Sequence, residues 1–335
     1  MSQKGVFLLL LCWAGLSMPW HDATAAKQDD SQWSFSPLLG IHAPSLKVMN
    51  EGMFVAPLKY NAEILQGDTT LPLSGQLFRN PLPPINYAPL TGIEFQWQMN
   101  PKHAFLIGGS TWEGASEATV SGQFPMQGAM SPTVNDRRAK LSYNDFFFGW
   151  KYNAISRPDK YNLYFRMSLH EIFDIDYRED WVFNFPQGRP DERGQPTPFR
   201  RIFIIQSQAT GMLMLQPGFG VEVFLRKWLS LGFESSYTYS LKTFKLRNSS
   251  ISRDFLPTDG LFLEVPVRPN PTEFEPLLRP DGTVVTNPNG TPVMVRAPDA
   301  EDGNLEYLAE DGSSYKRLRL SFDGWKALFK INIYY

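Results

Sequence analysis

Residues 324–335 read GWKALFKINIYY. Counting back from Tyr335, alternate positions hold Tyr335, Ile333, Ile331, Phe329, Ala327 and Trp325, with Asn332, Lys330 and Lys326 between them. A period of two puts successive side chains on opposite faces of an extended chain, so this stretch predicts a β-strand with one apolar and one mostly polar face. A strand of this kind at the end of a chain suits one that closes a barrel against the first strand.

The same pattern recurs upstream. Thr91, Ile93, Phe95, Trp97 and Met99 alternate with Gly92, Glu94, Gln96 and Gln98, and Phe146, Phe148, Trp150 and Tyr152 alternate with Asp145, Gly149 and Lys151. From Tyr161 to Arg178, Leu163, Phe165, Met167, Leu169, Phe173 and Ile175 share a face, and Asn162, Arg166, Ser168, His170, Asp174 and Asp176 share the other. Leu213 to Leu225 and Leu229 to Leu241 repeat the alternation, Pro217 marking a bulge in the former. The connections alternate in length: turns at 100–103, 153–160 and 226–228 are short, and loops at about 46–89, 114–138, 179–200 and 248–316 are long. Ala104–Glu113 returns as a strand whose facing is ambiguous, and Trp33–Ser45 supplies the first strand by parity, giving about eight. The expected fold is all-β, an antiparallel up-and-down transmembrane β-barrel with short periplasmic turns and long extracellular loops.

The closing segment resembles the C-terminal signal of bacterial outer-membrane β-barrel proteins, with Gly324, alternating hydrophobics and a terminal aromatic, here Tyr335 where Phe is commonest. The resemblance implies recognition by the barrel-assembly machinery, a place in a Gram-negative outer membrane and contact with its lipid and lipopolysaccharide. By architecture rather than motif, 33–335 resembles the small barrels of the OmpA/OmpX type.

Composition agrees. Lys4 followed by the apolar run Val6–Leu16 and Ala23-Thr24-Ala25 reads as a signal peptide over about residues 1–25, leaving 26–335 as the barrel. Cys12 is the one cysteine, so no disulfide or cysteine-ligated metal site is expected beyond the signal. A net charge of −2 without a basic block argues against a nucleic-acid partner. After the signal no apolar run approaches the ~18–20 residues of a helical span. Trp97, Trp150, Tyr152, Tyr161, Trp228 and Tyr335 cluster beside the short turns, as an interfacial girdle would.

Among inward positions, Glu94, Arg166, Glu222, Glu234 and Lys330 lie at similar distances from the short turns. They predict a lumenal ion-pair layer, with Arg166 beside Glu222 and Glu234 beside Lys330. A lumen filled in this way argues against an open pore. Ser168, His170 and Asp174 share one strand face, and some outer-membrane barrels, such as lipid A deacylases and palmitoyltransferases, use Ser and His for acyl transfer. Alternate strand residues lie roughly 7 Å apart, beyond the ~2.6–3.2 Å of a nucleophile–base pair. Neither Asp299, Glu301 and Asp302 as a calcium loop nor the omptin proteases' paired-Asp and Asp-His pattern is evident. The sequence therefore predicts a monomeric, non-enzymatic scaffold or surface-binding protein without cofactor or metal, acting on an unidentified ligand through its loops. A small-solute porin and a lipid-modifying enzyme at Ser168/His170 are the alternatives.

Overall fold

A computed structural model describes residues 32–55, 80–126, 129–157, 160–190, 196–209, 211–255, 262–266, 274–276, 283–286, 290–292, 294–296, 306–308, 315–317 and 319–335. The signal-peptide segment and the acidic turn at 299–302 lie outside these residues.

Eight strands close a ring. They are β1 (Gln32–Pro44), β2 (Ala88–Asn100), β3 (His103–Met126), β4 (Ala129–Arg157), β5 (Tyr161–Pro190), β7 (Met212–Arg226), β8 (Leu229–Ser240) and the closing strand Gly324–Tyr334. Between β5 and β7 comes β6 (Pro196–Ala209), which continues the line of β7 upward past Gly211, at φ +143°. The lower half of β5 pairs with β7 and its upper half with β6. Closure is an antiparallel ladder from Ser34↔Tyr334 to Pro44↔Gly324, so the parity argument that assigned the first strand holds.

The outward rows are the apolar faces read from the alternation. Phe95, Trp97, Phe146, Phe148, Trp150, Phe165, Phe219, Phe233, Trp325 and Phe329 are all exposed. In water such a surface would be a severe liability; around a closed barrel it is the lipid-facing belt. At the short-turn end, Trp33 stacks on Trp97 (5.8 Å) and His103 on Trp150 (5.4 Å), building the girdle. Inward glycines make room for large lumenal rings. A Cβ at Gly220 would collide with Tyr164, and one at Gly108 with Phe147.

Three sequence expectations need correction. The stretches 114–138 and 179–200, expected as loops, are mostly strand: β3 and β4 stay paired out to Met126↔Ala129, and β5 and β6 out to Pro190↔Pro196. Gly, Ser and Pro content is a weak guide where a neighbouring strand supplies the hydrogen bonds and inward residues such as Asn135 and Arg137 are buried. These strands form a wall beyond the apolar belt, extended by Arg247–Phe255 against β6 and Phe262–Pro266 against that strand.

Second, the described ends of the 46–89 loop turn inward. Leu46, Met49, Met53, Phe54, Leu82 and Ile85 are buried in one apolar core with Trp112, Leu141, Tyr143, Tyr177, Trp181, Phe183 and Phe322. Third, Ile175 faces inward, not outward. Asp174 adopts φ +55° and the β4–β5 register slips between Asn144↔Phe173 and Ser142↔Asp176, so a bulge re-phases the alternation. Above it Tyr177, Glu179, Trp181, Phe183 and Phe185 point into the core.

Candidate functional site: a polar lumen beneath an apolar plug

Within the belt the barrel interior is polar and filled. Arg166 Nη1 lies 2.7 Å from Glu94 and 3.2 Å from Glu234. Lys330 Nζ completes the square, 2.6 Å from Glu234 and 3.1 Å from Glu94. All four side chains are buried. The expected neighbour of Arg166, Glu222, is instead held by Lys151 at 2.9 Å. It also accepts hydrogen bonds from Asn332 (2.9 Å), from Ser230 and from the Tyr334 hydroxyl.

Strand register explains the difference. Glu222 stands opposite Asn162, and Arg166 stands opposite Gly218, four residues further along. Counting residues from the turns ignores the stagger that closing a barrel imposes on its strands. Lys151 was absent from the expected layer, although it alternates onto the inward face. Charge balance is the signal for it, since Glu94, Glu222 and Glu234 outnumber Arg166 and Lys330 by one.

One step further from the short turns, Ser168 Oγ lies 2.8 Å from His170 Nε2, and His170 Nδ1 lies 2.9 Å from both oxygens of Asp145. Asp145 also accepts from Ser110 (3.1 Å) and Lys326 (3.4 Å), and Arg166 Nε donates to Ser168 Oγ (3.3 Å). With a proton on Nδ1 held by the carboxylate, Nε2 accepts from the serine, which is the order of a Ser–His–Asp relay. The third member is Asp145 on β4, not Asp174, which sits at the bulge bonded to Asn144. The roughly 7 Å spacing of alternate strand residues separates backbones, whereas an imidazole leaning along its own strand closes that gap. Arg166 Nη2 and Gln216 Oε1 beside the serine are buried without a partner. Ser168 and His170 are 1% and 2% exposed.

His42 marks the boundary with the apolar core, bonded to the Tyr143 hydroxyl (2.7 Å) while Trp112 Nε1 donates to its carbonyl (3.3 Å). Above it, buried Arg137 ties the inserted segment to the wall. Its Nε lies 2.6 Å from Glu179, Nη1 donates to the carbonyls of Phe54 (2.9 Å) and Asn80 (2.8 Å), and Nη2 donates to that of Met53 (3.1 Å). The guanidinium also sits 4.1 Å over the Trp181 ring. Tyr177 donates to the other oxygen of Glu179, and burial, then that carboxylate, pushes its hydroxyl well above the ordinary tyrosine range. No charge on this level stood out in the sequence, because the segment it holds read as loop.

No protein-family model and no curated protein matches the chain. Among solved structures it is similar to the outer membrane protease OmpT from Escherichia coli, at 9% identity over 93% of this chain and 99% of that one, with a TM-score of 0.25. The 2.8 Å distance between Ser168 and His170 removes the ground on which catalysis was set aside, so the expectation of a non-enzymatic chain is withdrawn. The chain folds as a closed antiparallel β-barrel with an exposed apolar belt and, among the described residues, a buried, ion-paired polar interior.

Proposed function

We propose that this protein is a sealed outer-membrane barrel whose wall beyond the membrane is a scaffold for binding a surface ligand. Its lumen would be closed in the manner of the small OmpA/OmpX-type barrels. The carrying observation is the stacked filling of the interior, four buried cations (Lys151, Arg166, Lys326, Lys330) paired with four buried carboxylates (Glu94, Asp145, Glu222, Glu234) beneath the plug of 45–55 and 80–87. Interlocked side chains with balanced charge among the described residues support a lumen without a wet path for a solute. On this reading the chain works as a monomer, lies among outer-membrane lipid and lipopolysaccharide, and enters through the assembly machinery by its closing strand.

Purified protein in a planar bilayer is expected to give no conductance steps above those of the bare membrane. Reproducible single-channel steps would establish a porin and overturn the sealed lumen.

A second reading rests on the relay. If the plug parts, Ser168 Oγ could attack an acyl carbon, its proton passing to His170 Nε2 and then to the departing alcohol, with Asp145 holding the imidazolium. Water would then release the acyl group. This reading expects a fluorophosphonate reagent to attach to Ser168 in folded protein, and Ser168→Ala to abolish the attachment. Intact mass unchanged after prolonged exposure, in protein whose plug has been loosened, would sink it.

A further inference from the structure

The short-turn rim carries a run of basic residues. Each of its three turns is basic: Lys102 between β2 and β3, Arg157 and Lys160 between β4 and β5, Arg226 and Lys227 between β7 and β8. All five side chains are exposed. The same turns contain one acid in the sequence, Asp159, in a chain whose 34 acidic residues outnumber its 32 Lys and Arg. The excess is therefore local and not a reflection of overall composition.

Elsewhere, many charges are paired. The lumen is balanced, and on the outward face of the wall Lys140 meets Glu113 (2.6 Å), Arg138 meets Glu117 (3.4 Å) and Arg178 meets Asp180 (3.0 Å). Backbone bonds hold the turns side by side on one rim. The Lys102 carbonyl accepts from Asn153 (2.8 Å), the Lys160 carbonyl from Phe224 (2.9 Å) and the Trp228 carbonyl from Tyr334 (2.9 Å). At the same end of the barrel lie the exposed rings of Trp33, Trp97, Trp150, Trp228 and Tyr335, residue types that favour the membrane–water interface.

The geometry points to a binding surface for anionic phospholipid headgroups, the phosphodiesters of the lipid leaflet that meets this rim. Five long cationic side chains at headgroup depth match a layer of phosphates by charge and by height. Interfacial Lys and Arg each favour an anionic surface on the order of fivefold. With the orientation proposed above, that leaflet is the periplasmic one; the lipid preference itself does not depend on the orientation. The girdle would position the rim, and the cations would select which lipids surround it.

The test uses folded full-length protein in phosphatidylcholine vesicles doped with spin-labelled phosphatidylglycerol or spin-labelled phosphatidylcholine, with quenching of the rim tryptophans as the readout. Wild type is expected to be quenched at a severalfold lower fraction of labelled phosphatidylglycerol than of labelled phosphatidylcholine, and 0.5 M salt should erase most of the difference. A variant carrying Lys102→Gln, Arg157→Gln, Lys160→Gln, Arg226→Gln and Lys227→Gln should show equal quenching by both lipids. Arg157→Lys with Arg226→Lys, which keeps every charge, should behave as wild type and controls for folding. Equal quenching in wild type, or a preference that survives in the five-fold variant, would overturn the assignment. So would binding of an acidic soluble polymer to the rim with no lipid preference. Channel conductance can fail or succeed independently of this result.

Discussion

Arg137→Ala is expected to release the segment plugging the upper barrel while leaving the membrane ring folded. The guanidinium neutralises buried Glu179 and satisfies three carbonyls, those of Met53, Phe54 and Asn80. Removing it strands a carboxylate and three acceptors in an apolar core. Breaking a buried ion pair from one side costs roughly 3–5 kcal/mol. The loss should fall on the inserted segment, because the ladders of β1, β2 and the closing strand do not pass through this residue. Hydrogen exchange should therefore quicken at residues 45–55 and 80–87, and limited proteolysis should cut there first, with the β1–closing-strand amides still protected. Arg137→Lys keeps the charge but not the planar fork, so it should give an intermediate effect. Unchanged exchange in Arg137→Ala would mean that apolar burial alone holds the plug.

The second large effect is expected at Arg166. Glu94 and Glu234 share it with Lys330, and Arg166→Met leaves two buried carboxylates facing one ammonium. That imbalance should again cost roughly 3–5 kcal/mol, here from the global stability of the barrel. Adding Glu234→Gln restores charge balance, with Glu94 and Lys330 left as a simple pair, and should recover part of the loss. Urea unfolding followed by tryptophan fluorescence reads both outcomes. If the single variant unfolds at the wild-type midpoint, the charge layer contributes nothing to holding the lumen together. Ser168 would also lose its Arg166 neighbour, so labelling of the relay in this variant separates the structural role of the arginine from a positioning one.

The barrel could be read from the chain because each membrane-spanning strand answers to two solvents. Lipid outside and a packed lumen inside force strict alternation, and a one-residue slip would move every charge into hydrocarbon. The faces of 91–99, 146–152, 213–225 and 325–335 follow from that constraint alone. The alternation carried no signal where the constraint lapses. Beyond the belt both faces tolerate polar residues, so the upper parts of β3 and β4 looked like loop although they are paired throughout. The bulge at Asp174, with its positive φ, inverted the facing of the described residues after it on β5.

What the sequence determined by itself was the set of side chains that point into the lumen: Glu94, Asp145, Lys151, Arg166, Ser168, His170, Glu222, Glu234, Lys326 and Lys330 are inward by period alone. Only the tertiary structure decided which of them meet. Partners across a barrel depend on its stagger, which is a property of closure and of no single strand, so Arg166 met Glu94 and Glu234 rather than Glu222, and Glu222 met Lys151. Pairing of β4 with β5, with Asp145 opposite Ile172, brought Asp145 to His170, and with it a relay that one strand could not have assembled.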